Sequence, residues 1–144
     1  MLSCTFFGHR DCKESIKPLL LDAIEKMITS CGVSTFYVGN HGNFDIFVLQ
    51  VLRKLKEKYP QILFWVVLSD MPCGDLANVN VSKETILPSG IENVPKRFAI
   101  LYRNNWMIKN SNYVITYITH SYGGAAQFAQ KAKRLKRTVI NLAN

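Results

Sequence analysis

Three short segments of the 144-residue chain combine glycine with side chains that can do chemistry: Gly8-His9-Arg10, Gly39-Asn40-His41-Gly42-Asn43 with Asp45 close behind, and His120-Ser121-Tyr122-Gly123-Gly124 leading into Ala125. Glycine lets backbone approach an anion closely, and a helix opening directly afterwards adds unpaired N–H groups and a partial positive charge. Gly123 and Gly124 are therefore either an anion cradle or a plain tight turn; two further glycine-bearing turns favour the cradle. Arg10 can clamp a phosphate or carboxylate through two parallel hydrogen bonds. His9 can donate a hydrogen bond or move a proton; otherwise the pair is an ordinary surface loop. Asp45 suits the opening of a helix and can accept from sugar hydroxyls, but Asn43 and Asp45 also serve as simple helix caps. Arg97, Arg103 and Asn104 form a fourth group on one helix. Arg97 and Arg103 are nearly two turns apart and point to broadly similar sides. Arg103 or Asn104 reaches the same edge if the helix packs across it, and Trp106 is read as a packing residue. GxGxxG is absent, which excludes a standard dinucleotide site.

The elements that must position these residues follow from hydrophobic period and punctuation. Leu2 to Phe7 reads as a buried strand ended by Gly8. Ser15 to Ser30 has helical spacing, with Pro18 in its first turn and Gly32 at its end. Thr35 to Val38 is a second strand. A helix capped by Asn43 carries Phe44, Phe47, Val48, Val51, Leu52 and Leu55, and stops at Tyr59-Pro60. Ile62 to Leu68 is a continuous apolar strand, as in a parallel sheet covered on both faces. Ser69 to Val94 reads as a long loop with a short extended piece near Thr85 to Leu87; loops of this length are usually functional or mobile. Pro95 opens a helix running to about Asn110, with Phe98, Leu101, Tyr102 and Ile108 as its expected buried face. Tyr113 to Ile118, Ala125 to Leu135 and Thr138 to Leu142 complete a strand, a helix and a strand. This alternation predicts an α/β fold: a Rossmann-like, doubly wound three-layer sandwich of about five parallel strands with helices on both faces. In such sheets the ligand lies beyond the carboxyl ends of the strands, where the glycine-bearing segments fall.

Composition narrows the class. Hydrophobic residues at 48% and charged residues at 19% exclude a disordered chain. The longest unbroken apolar run, Ile62 to Leu68, is far short of the ~20 residues of a membrane helix, and the start lacks a leader pattern. The expectation is one cytoplasmic domain over residues 1–144, without a membrane partner. Cysteines 4, 12, 31 and 73 form no CxxC pair, and three histidines give no zinc spacing, so no metal or cofactor is expected. Cys4 and Cys31 read as core residues, Cys12 and Cys73 as loop residues. The net charge of +8 suits an anionic partner. The densest basic run, Lys131, Lys133, Arg134, Lys136 and Arg137, ends a helix, where cations complement the dipole; this role is preferred over nucleic-acid binding.

Over nearly the whole chain these motifs resemble the SLOG superfamily, named from the Smf/DprA and LOG proteins, nearest its YpsA-like branch of bacteria and phages. The resemblance rests on GHR after the first strand, GNHGNFD after the second, and IENVPKRFAILYRNNWMIKNSNYVI followed by GGAA. LOG enzymes show a similar order: an Arg-Lys and a Met on a helix, an apolar strand, then PGGxGTxxE. The resemblance implies a Rossmann-like domain binding nucleotides or nucleotide-derived ligands, a possible homodimer, and, in LOG members, a phosphoribohydrolase using an Arg and a Glu. Arg103 matches that Arg. The motif's Thr falls on Gln127, its Glu on Gln130, and Tyr122 replaces its proline. Glutamine supplies neither a general base nor a stabilising charge; Glu84, Glu92 or Asp45 would have to substitute, so no catalytic residue is assigned.

The expected function is thus a sensor or binding module for a nucleotide or phosphosugar ligand, held by Gly8, His9, Arg10, Gly39, Asn40, Gly42, Asn43, Asp45, Arg97, Arg103, Asn104, Gly123, Gly124 and Ala125. LOG-like hydrolysis of nucleoside monophosphates is the alternative. DprA-like binding of single-stranded nucleic acid ranks third, since no aromatic-interleaved basic strip is present.

Overall fold

The computed structural model describes residues 2–70 and 84–143. Its centre is a six-stranded, all-parallel sheet in the order β4-β3-β2-β1-β5-β6. The strands are β1 (Leu2–Gly8), β2 (Val33–Val38), β3 (Leu63–Val67), β4 (Thr85–Ile86), β5 (Tyr113–Tyr117) and β6 (Thr138–Asn141). The helices are α1 (Lys17–Thr29), α2 (Gly42–Lys58), α3 (Ala99–Lys109) and α4 (Gly124–Arg134). One strand more than expected is present. It is the two-residue β4, at the predicted short extended piece, where Val66 N–H donates to Glu84 O and Leu68 N–H to Ile86 O. Cys73 and most of the predicted long loop lie outside the described residues.

Alternating side chains divide the core into two layers. Cys4, Phe6, Phe36, Val38, Phe64 and Ile115 pack under α1 and α2, against Leu20, Ile24, Met27, Val48, Val51 and Leu52. Phe7, Val67 and Val114 face the other way, towards Met107, Ile108 and Ala132 of α3 and α4. Both faces of β1 are therefore covered, which explains why Ser3 to Phe7 are buried without a break. On α4 the buried residues are Ala126, Ala129 and Ala132, small enough for the helix to approach the sheet closely. Phe128 stacks on Phe7 at 5.5 Å.

Several local expectations change. His41, not Asn43, is the N-cap of α2, and Asn43 lies inside the first turn. Pro95 caps a 3-10 turn (Lys96–Phe98) that precedes α3 rather than opening the α-helix itself. The buried face of α3 is Ala99, Arg103, Asn104, Met107 and Ile108, while Phe98 and Leu101 are close to half exposed. This helix turns its arginine inwards because hydrogen-bond acceptors wait there. Cys12, expected in a polar loop, is buried, and burial pushes its thiol up to about 11, so it is no reactive thiolate at neutral pH. Cys4 is fully buried as expected, and Cys31 partly. Arg137 donates to the carbonyls of Ile108 and Lys109 at the end of α3, and Lys131 to Asn105 Oδ1. Part of the basic run therefore closes the packing of α3 on α4. No described helix is long and apolar enough to cross a membrane.

Candidate functional site

The sheet leaves β1 in two directions, to β2 on one side and β5 on the other, so the switch point lies at the carboxyl ends of β1 and β5. A cleft of about 350 Å³ opens there, within the size range of small-ligand sites. Gly8, His9, Arg10, Asp45, Arg103, Asn104, Gly124 and Ala125 line it, with Phe6, Phe7, Ile100, Met107 and Phe128 as apolar wall and His41 at one side.

Arg103 reaches this edge from α3 and is 2% exposed. Its Nε donates to Asn104 Oδ1 at 2.7 Å, and its Nη1 to Asn40 Oδ1 at 2.9 Å and to Val67 O at 3.1 Å. Its Nη2 has no hydrogen-bond partner among the described residues, and no carboxylate there lies within ion-pair distance. Burial lowers the guanidinium's pKa, and Asp45 and Asp70 act against that. A buried guanidinium is costly without a counter-charge. Three neutral acceptors hold this one in a fixed orientation with one nitrogen left over.

Asp45 sits opposite. Its Oδ2 accepts from His41 N–H at 3.0 Å, closing the start of α2. Burial pushes the carboxyl up to about 6, against the pull of that hydrogen bond and of Arg103. Gly39 separates the two groups. The pKa of His41 is lowered, by burial first and then by Arg103 and Arg10. The surroundings therefore resist a further positive charge and favour an anion.

The start of α2 is otherwise occupied by protein. Asn43 N–H donates to Arg10 O at 2.8 Å, and Asn43 Nδ2 to Cys12 O at 3.5 Å. Gly42, at φ +85°, lies against Arg10, and a Cβ there would stand 2.8 Å from Arg10 Cα. This glycine and Asn43 join the β1–α1 loop to α2 and place Arg10 at the cleft. The start of α4 is different. Gly123 is its N-cap at φ +95°, a conformation suited to glycine. No side chain caps the helix, and a Cβ on Gly124 would meet nothing within 4 Å. The N–H groups of Gly124 and Ala125 thus open onto the cleft without an acceptor among the described residues.

His9 makes a contact the sequence does not announce. Thr119 N–H donates to His9 Nε2 at 3.0 Å, and His9, His120 and Tyr122 stack in series. Burial and the neighbouring His120 lower the pKa of His9, which keeps Nε2 free to accept.

Of the sequence-predicted residues, eight meet around the cleft. Asn40 and Gly39 stand just behind it, supporting Arg103. Gly42, Asn43 and Gly123 shape the turns. Arg97 is exposed in the 3-10 turn, its guanidinium over the Phe98 ring at 4.9 Å, and does not line the cleft. His41, Met107 and Phe128 also line the cleft but do not belong to the sequence-predicted ligand-binding set. The spacing of Phe128 from Gly124, one helical turn, was the available signal for that residue. Among the described residues no group of His, Cys, Asp and Glu could hold a metal ion.

The fold is a Rossmann-like α/β sandwich, and the cleft lies at its topological switch point. No protein-family model matches the chain, and no curated protein matches it either.

Proposed function

We propose that residues 1–144 act as one module that binds a small phosphorylated ligand, of the nucleotide or phosphosugar class, in the cleft at the carboxyl ends of β1 and β5. The observation that carries this reading is Arg103: a buried guanidinium on the wall of a cleft, with one nitrogen that has no partner among the described residues. The open N-terminus of α4 across the same cleft supports it, because helix N–H groups and arginine favour the same anion. The resemblance to the SLOG superfamily, and within it to the YpsA-like branch, is consistent with a sensor or binding role. The test is thermal unfolding against nucleotides, nucleoside monophosphates, dinucleotides and ribose phosphates. A ligand at about 100 times its dissociation constant stabilises the native state by ~2.7 kcal/mol. The expected shift disappears in Gly124→Asp. A flat response across the panel refutes the reading.

Asp45 favours a second reading. It is the carboxylate on the cleft wall, and its pKa of about 6 suits an acid near neutral pH. In a phosphoribohydrolase Arg103 would hold phosphate while Asp45 takes the part that Gln130 cannot. Release of free base from a nucleoside monophosphate, abolished by Asp45→Asn, supports this reading; absence of release from every monophosphate removes it.

A further inference from the structure

His9, His120 and Tyr122 form a column of three near-parallel rings. The centroids are 3.8 Å and 3.7 Å apart, with interplanar angles of 16° and 13°. The column is pinned rather than loose. Thr119 N–H holds the inner ring through His9 Nε2, and His120 Nδ1 lies 2.9 Å from Tyr122 O. Its inner end, His9, lines the cleft, and its outer end, Tyr122, is 70% exposed. The Tyr122 hydroxyl has no hydrogen-bond partner among the described residues, so its polar end does not explain its position. Such a column presents an aromatic face to water on a support that needs no further ordering, and flat heterocycles stack on faces of this kind. The chain then runs directly into the anion cradle. Gly124 follows Tyr122 by two residues, at most about 7 Å of backbone. One pentose bridges a phosphate and a planar base over such a span.

We propose that Tyr122 is a stacking platform and that the ligand is a nucleoside phosphate rather than a bare phosphosugar. The base lies on the outer face of the Tyr122 ring, and the phosphate meets the N–H groups of Gly124 and Ala125. This rests on the reading of the cleft as an anion site and adds the feature that selects among phosphorylated ligands. The histidines support the platform from below: His120 stacks between His9 and Tyr122, and His9 accepts from Thr119 only in its neutral form.

The experiment is calorimetric titration of the 5′-monophosphates of adenosine, guanosine, cytidine and uridine against ribose 5-phosphate. It uses the unsubstituted protein, Tyr122→Ala, Tyr122→Phe and Gly124→Asp. Tyr122 is exposed, so its variants keep the fold. Stacking predicts that at least one monophosphate binds about 10-fold or more tightly than ribose 5-phosphate. Tyr122→Ala removes that advantage, and Tyr122→Phe, which retains the ring face, restores it. Two results overturn the platform while leaving the anion site intact: ribose 5-phosphate equals every monophosphate, or Tyr122→Ala weakens both ligand classes alike. If no phosphate ester binds, or if Gly124→Asp leaves binding unchanged, the anion site itself fails and the platform with it.

Discussion

Asp45 and Arg103 approach each other over Gly39, and the gap is only as wide as a missing side chain. A Cβ on Gly39 would stand 2.8 Å from Asp45 Oδ2 and 3.1 Å from Arg103 Nη1. Both groups are tethered, one to His41 N–H and the other to Asn40 and Val67, so neither can withdraw freely. Gly39→Ala is therefore expected to destabilise the protein by roughly 1–3 kcal/mol, as overpacking does. Urea unfolding with an unchanged slope and a lower midpoint is the expected result.

Gly8 and Gly124 should respond in opposite ways. A Cβ on Gly8 collides with the Phe44 ring, so Gly8→Ala costs stability and Phe44→Leu in the same chain restores part of it. A Cβ on Gly124 meets nothing, so Gly124→Ala keeps the melting temperature of the free protein. If an anion rests on the start of α4, this variant still weakens its binding. Thermal unfolding with and without ligand separates the two effects.

The folded pKa of Asp45, about 6 against an ordinary 3.8, fixes the sign of a pH effect. Between these values the native state binds more protons than the unfolded state, so stability falls as pH rises through this window and levels off above it. The full contribution is on the order of 3 kcal/mol. Asp45→Asn abolishes the slope, as denaturant midpoints measured from pH 4 to 7 will show.

His41, on the cleft, titrates below its ordinary value through burial, Arg103 and Arg10. An anion in the cleft opposes this and raises that value. Binding is then accompanied by proton uptake, and affinity increases as pH falls from 7.5 towards 5.5. Titration calorimetry in buffers of different ionisation heat measures the uptake directly.

Arg103→Ala removes the donor to Asn40 Oδ1, Asn104 Oδ1 and the Val67 carbonyl together. A loss of about 2–4 kcal/mol in stability is expected, since buried acceptors are left without partners. Arg103→Lys keeps a charge but not the planar fork. It should recover part of the stability and little of the ligand-induced shift in melting temperature.

The layered fold was legible because its signals are local. The continuous apolar run of β3, the glycines after β1 and β2, and the period of α1 and α2 each specify an element without reference to the rest. The orientation of α3 was not. Its apolar Phe98 and Leu101 face outwards and Arg103 faces inwards, because the acceptors for Arg103 come from β3 and the β2–α2 turn. Tertiary partners of that kind leave no period in the helix itself. The ring column was hidden for the same reason: His9 and His120 stand 111 positions apart in sequence and meet only through the pairing of β1 with β5. The two-residue β4 has too few side chains to show alternation.

Among the described strands, β1 comes first in chain order and lies in the middle of the finished sheet. A nascent chain that has emerged only through β3 can assemble β1, β2 and β3 beneath α1 and α2. Phe7 and Val67 on its other face, however, have no cover until α3 and α4 have been synthesised. One flank of β1 also waits unpaired for β5. Such a half-sheet is apolar on one side and open along an edge, the condition in which partly made proteins stick to one another. On the ribosome, the second half of this chain therefore acts as the late-arriving shield of the first.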